Sequence, residues 1–140
     1  MKHKIGFNKL NRVAAHRKAL VRNMITVLFK QEKITTTKAK AIEVRRAAEK
    51  LITRAKVDSV ANRRIASSRL YGEDAVAKLF TDIGPRFKER NGGYTRILKI
   101  GPRANDAANL VILELIDQKA DEKKAARNKK KAERKSKQQA

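Results

Sequence analysis

The chain has 140 residues, with 36 Lys and Arg against 14 Asp and Glu, giving a formal net charge of +22. A surplus of that size demands a polyanionic partner, and the lack of cysteine excludes disulfides, thiolate metal sites and cysteine nucleophiles. Two histidines, His3 and His16, are too few for a histidine metal cage, and no run approaches a membrane span or a secretory signal, so a cytoplasmic protein is expected.

Residues 1–31 carry eight Lys and Arg and no acid, because the first acidic residue is Glu32. Residues 1–9 read as a basic arm holding Lys2, Lys4 and Lys9. From Leu10 to Phe29 the apolar residues Leu10, Val13, Ala14, Leu20, Val21, Met24 and Leu28 recur at helical spacing. Lys9, Arg12, His16 and Asn23 fall on the opposite arc. Arg17 lies inside the apolar arc, where it must snorkel or find a partner. The β-branched run Lys33–Thr37 predicts a short strand, after which Thr37 caps a second helix reaching about Lys56. Ala41, Val44, Ala48, Leu51 and Ala55 are its apolar stripe. Asp58 or Ser59 caps a third helix to about Leu70, and Gly72 marks a turn. A fourth helix uses Val76, Leu79, Phe80 and Ile83 and is expected to stop at Gly84 and Pro85.

Asn91, Gly92 and Gly93 form a turn cluster, and Tyr94–Ile100 and Leu110–Ile116 read as strands separated by a loop. The order α-β-α-α-α-β-β predicts one α+β domain over residues 10–117, with a small three-stranded sheet packed against helices in two layers. Leu, Ile, Val and Phe total 33, enough for a small core. Residues 118–140 hold ten Lys and Arg against three acids and nothing apolar larger than Ala. Such a tail is expected to be disordered or a single solvated helix.

Catalytic readings find little support. Glu43 lies near Arg46 and Glu49 near Arg45 at helical spacing, which predicts solvated ion pairs, not converging carboxylates. Gly92-Gly93 lacks the Lys-Ser/Thr of an NTPase phosphate loop. No enzyme activity, cofactor, metal or small-molecule substrate is expected, and no homo-oligomer. An anionic lipid partner would require bulky interfacial aromatics, and aromatics are only 4%. Nucleic acid fits better. Besides the acid-free first segment, Asn62-Arg63-Arg64 is basic, and the stretch Gly84–Lys99 sets Arg86, Arg90 and Arg96 with Phe87 and Tyr94 around a glycine turn. Glycines let backbone N–H groups approach phosphates, and Arg and Tyr stack on unpaired bases. Phe87 is more naturally a core residue, while Tyr94 suits either the core or a stacking role. Duplex DNA would ask for helix-turn-helix spacing, a zinc finger or a heptad-supported basic helix, none of which stands out. Two basic ends on a small body suit folded RNA, with a nucleoid protein and an RNA-processing enzyme as rivals.

The segments LNR (Leu10–Arg12), HRKAL-VRNM (His16–Met24), ITTTKAKA (Ile34–Ala41), LIT-AK (Leu51–Lys56), NRR (Asn62–Arg64), LF–IGPRF (Leu79–Phe87) and RNGGYTRILK (Arg90–Lys99) resemble the bacterial large-subunit ribosomal protein L17 family over residues 8–117. The resemblance implies an α+β protein of the 50S subunit that binds 23S rRNA near the nascent-peptide exit, with neighbouring large-subunit ribosomal proteins as partners. It implies rRNA contacts at Asn11, Arg12, His16, Arg17, Arg22 and Asn23 on the first helix, and at Thr35, Thr36, Thr37 and Lys38 beyond it. Arg63, Arg64 and the turn from Gly92 and Gly93 through Tyr94 to Arg96 complete the set. Where the family carries Arg-x-Gly-Asp, this chain has Arg103-Ala104-Asn105-Asp106. Asn105 is the expected residue for the positive φ of that turn. The extreme N-terminus keeps the family's basic character but not its glycine position, and the tail lies outside the resemblance.

Overall fold

Apolar spacing in the first segment produces α1 (Ala14–Gln31) in the computed structural model, which describes residues 6–116. The expectations for Lys2, Lys4 and residues 118–140 lie outside the described residues. Only the C-terminal half of α1 is buried, through Ile25, Leu28 and Phe29. The helix begins later than its spacing predicts. Leu10 and Asn11 take left-handed φ values of 56° and 52°, and Val13 is extended with ψ at 157°. Lys9 and Arg12 therefore precede the helix and do not share its face. The other end closes at Glu32, whose φ of 62° is the left-handed geometry that ends many helices. Its N–H donates to the Leu28 carbonyl at 2.7 Å.

The chain passes directly into β1 (Lys33–Thr37) and then α2 (Lys38–Ala55). The whole predicted stripe of α2 is buried, joined by Ile52. Thr37 occupies the N-cap position, but its hydroxyl bonds no helix N–H. Ser59, not Asp58, caps α3 (Val60–Arg69), its Oγ accepting from the Asn62 N–H at 3.2 Å.

The fourth helix does not stop at Gly84 and Pro85. α4 (Glu73–Lys78) widens into a π-helical turn (Leu79–Ile83) and runs on as α5 (Gly84–Arg86). Proline has no N–H to donate and its ring crowds the carbonyl four residues back, here Thr81. The widened turn accommodates it: the Gly84 N–H reaches the Leu79 carbonyl, five residues back. Gly84 serves close approach instead of termination. A Cβ there would lie 2.5 Å from the Ala55 carbonyl oxygen at the end of α2.

β2 (Thr95–Pro102) and β3 (Asn109–Leu115) complete an antiparallel sheet in the order β1-β3-β2. Ile34 faces Leu113, and Leu113 in turn faces Ile97, so these residues share one side with Val111 and Leu115. That side rests on the helices, with α2 touching all three strands. The result is the expected α+β architecture. In the turn after β2, Ala107, not Asn105, takes the positive φ, 52°. A fork of Arg103 bonds to Asp106 at 2.8 and 2.6 Å draws Asp106 back across the turn, and the left-handed residue follows it. None of the described helices is long and apolar enough to cross a membrane.

Candidate nucleic-acid interface

The acid-free segment forms a surface around the start of α1. α1 has no side-chain cap and no acid in its first turn, so its leading N–H groups and its dipole favour an anion. His16, Lys18 and Asn23 are exposed along the helix, and Lys9 and Asn11 are exposed just before it. Among the described residues, Lys9, His16 and Lys18 have no ion-pair partner. No motif singles out Lys18, although its place in the acid-free segment marks it.

A set of long-range contacts brings the start of α2 alongside. Asn8 donates its backbone N–H and its Nδ2 to Glu43 Oε1 at 2.9 and 2.7 Å, and Arg46 donates to the Gly6 carbonyl. The Arg17 guanidinium sits 4.7 Å from the centre of the Phe7 ring and donates to the Arg12 carbonyl at 3.0 Å. Arg17 thus finds the partner its position demanded, and pins residues 7 and 12 in doing so. Arg12 bonds back to the Leu10 carbonyl at 2.8 Å, while its buried Nε has no partner among the described residues. Nothing in the sequence signalled Phe7, which acts through a single aromatic contact, or the reach of Arg46 to Gly6 across forty residues. The α2 start is also basic and uncapped by a side chain, with Lys38 and Thr35 exposed and Thr36 and Thr37 half-buried.

Other expected contacts are committed within the fold. Arg22 donates to the Leu70 carbonyl at 2.7 and 3.1 Å, closing the end of α3, and stacks 3.9 Å from the Tyr71 ring centre. Arg63 forms a fork with Asp58, both bonds 2.6 Å, which holds the Asp58 carboxyl below its ordinary range. Arg64 is exposed and carries no such pair among the described residues. Arg86 bonds Glu32 at 2.7 and 3.1 Å and Asp82 at 2.6 Å, which raises its own pKa further. Arg90 bends back to the Gly92 carbonyl at 3.3 Å. Arg96 lies 3.8 Å from Glu114. Arg45–Glu49 and Arg46–Glu43 pair on α2 as their spacing predicts, at 3.4 and 3.8 Å.

Tyr94 settles into the core. It is 2% exposed, and its ring packs against Phe87 with 5.3 Å between centroids, so neither face is open to a base. Burial pushes its hydroxyl pKa up, but hydrogen bonding with Thr53 and Lys56 and the Lys56 charge outweigh it, and the net shift is downward. Gly92 and Gly93 hold left-handed φ values of 95° and 60° in the turn beside it, and a backbone hydrogen bond from Gly92 adds to the lowering of the Tyr94 pKa. A shallow cavity of about 540 Å³ opens here, lined by Arg46, Glu49, Lys50, Thr53, Gly92 and Tyr94.

The profile of the family described as Ribosomal protein L17 matches residues 20–116, well over half of the chain. The chain belongs to the ribosomal protein L17 family. It is 68% identical over 117 residues to the large ribosomal subunit protein bL17 of Treponema denticola, covering 84% of this chain and 65% of that longer protein. The Borrelia turicatae bL17 is 60% identical over 123 residues, covering 88% of this chain and 99% of the relative. The Borreliella burgdorferi bL17 is 54% identical over 117 residues, covering 84% and 95% respectively. In this member of the L17 family, then, the basic residues divide into two groups. One, Lys9, Lys18 and Lys38, lies around the starts of α1 and α2 and is open. The other, Arg22, Arg63 and Arg86, builds the fold.

Proposed function

We propose that this protein is a non-catalytic constituent of the large ribosomal subunit that binds 23S rRNA through the starts of α1 and α2, with the Gly92–Gly93 turn as a second contact. The observation that carries this reading is the acid-free first segment, whose exposed Lys9, His16 and Lys18 have no carboxylate partner among the described residues beside an uncapped helix start. Exposed Lys9 and Lys18, in a segment with no acid of its own, are left for phosphate, and His16 beside them can donate to it; such contacts fix position on RNA without reading sequence. Family membership extends the proposal to a place beside the nascent-peptide exit, where density for this chain is expected in a reconstruction of the particle.

Neutralising about eight phosphates would make log K fall with log salt at a slope of about −6. Replacing Lys9, His16 and Lys18 together with Gln should weaken rRNA binding and flatten that slope by about 0.7 for each phosphate no longer neutralised. An unchanged slope would remove this surface from the interface. On a sucrose gradient the chain is expected with the 50S particle. Co-sedimentation with bulk nucleoid, or recovery only in low-mass fractions, would overturn the ribosomal reading.

A further inference from the structure

The side of the sheet turned away from the helices is uncovered and mostly aliphatic on β2 and β3. Register places Leu98 opposite Ile112, and Ile112 opposite Thr35 on the far strand. Leu110 lies two positions along the same side of β3, and Ile100 occupies the bulge between Lys99 and Gly101. Leu98 is 40% exposed and Ile100 54%, with Leu110 and Ile112 half-buried. Contiguous apolar surface of this kind marks an interaction site.

We propose that this outer face of β2 and β3 docks against a neighbouring protein of the same particle that presents aliphatic side chains, while rRNA is met elsewhere. The inference rests on the large-subunit reading above and assigns a partner class to one face. The aliphatic makeup of this face decides against RNA. The nearest cross-strand row runs Lys33, Glu114, Arg96, so the carboxylate sits between the cations and lies 3.8 Å from Arg96. Desolvating four aliphatic side chains against phosphate oxygens would gain nothing, whereas burying them against other apolar groups is favourable. The tail of this chain cannot cover the patch, since residues 118–140 hold no apolar residue larger than Ala. A second copy is disfavoured by the repulsion of two chains of +22 each. The bulge at Ile100 interrupts the β2 ladder, so the partner meets the face and not the strand edge.

The test places a photocrosslinking benzoylphenylalanine at position 98, and separately at position 100, of the full chain assembled into 50S particles in cells. A third chain carries it at position 16. After irradiation and ribonuclease digestion, positions 98 and 100 should retain an adduct containing one other large-subunit protein, and position 16 should lose an RNA adduct. In parallel, Leu98→Asp should lower retention of the chain in salt-washed particles several-fold while leaving its thermal midpoint close to that of the unsubstituted chain. An adduct at positions 98 and 100 that digests with ribonuclease, that contains a second copy, or that fails to form in assembled particles overturns the proposal. Absence of the unsubstituted chain from 50S particles is a distinct result: it overturns the ribosomal reading and this proposal with it.

Discussion

Glu32 is the first acid in the chain, and its surroundings explain why the acid-free run ends there. Its left-handed backbone ends α1, and its carbonyl accepts the Leu115 N–H at 2.9 Å, tying the helix end to β3. Its side chain takes Arg86 at 2.7 Å and Lys78 at 2.8 Å. The Arg86 bonds, helped by Lys78 and opposed by partial burial, hold the carboxyl at about 2 against an ordinary 4.5. Because the folded pKa lies below the unfolded one, the unfolded chain binds more protons between those values. The contribution of this group is therefore complete above pH 4.5 and is lost as pH falls toward 2. With the side chain about a third exposed, screening reduces its worth, and Glu32→Gln should cost about 1–2 kcal/mol near neutral pH. Urea unfolding at pH 6 and pH 3 checks this: the variant should lose less stability between the two than the parent chain. Equal losses would show that Glu32 does not carry the acid sensitivity.

At the scale of elements, the helix from α4 to α5 shows where local rules and packing part. Gly84 and Pro85 are stop signals by propensity, yet the chain remains helical because Ile83 and Phe87 are fully buried on either side of them. A π turn relieves the proline, and the bare glycine lets this helix lie against the end of α2. Gly84→Ala would drive a methyl group into the Ala55 carbonyl, a backbone atom that cannot swing aside. The expected loss is about 1–3 kcal/mol, read as a fall in thermal midpoint of roughly 5–10 °C. An unchanged midpoint would mean that the two helices separate freely. The same case shows what the amino-acid sequence discloses. Periodicity located α2 and its stripe, since burial on one side leaves a pattern in the residues themselves, and runs of β-branched and apolar residues located all three strands. Periodicity misplaced the start of α1, because left-handed backbone at Leu10 is not a preference of leucine, and the contact of Asn8 with Glu43 beside it joins residues 35 apart in the chain. The family pattern and the preference of asparagine chose Asn105 for a positive φ that Ala107 adopts, since the Arg103–Asp106 fork is a pairing no propensity encodes.

For the whole molecule, charge layout indicated the open surface better than individual motifs did. The acid-free run located His16 and Lys18 on exposed helix, whereas the arginines singled out by motif divided. Arg22, Arg63 and Arg86 spend their hydrogen bonds inside the fold, because a folded basic chain needs its few carboxylates and free carbonyls satisfied as much as its partner does. A distinction follows for binding. Cations bonded within the fold should change stability when removed, and open ones should change binding and its salt dependence while leaving stability as it was. The tail gives the cleanest separation of the two effects. Its ten Lys and Arg are a large share of the total of 36, yet it can add little to a core already closed by Ile116 against Tyr94. A chain ending at residue 119 is thus expected to unfold at the same urea concentration as the full chain. Its affinity for 23S rRNA should fall, and its salt slope should flatten by about 0.7 for each phosphate that the tail would have neutralised. Titration of both chains at several salt concentrations, with urea melts alongside, reads the two quantities independently. A lowered urea midpoint would make the tail part of the folded body; an unchanged slope would leave its charge with no role on RNA.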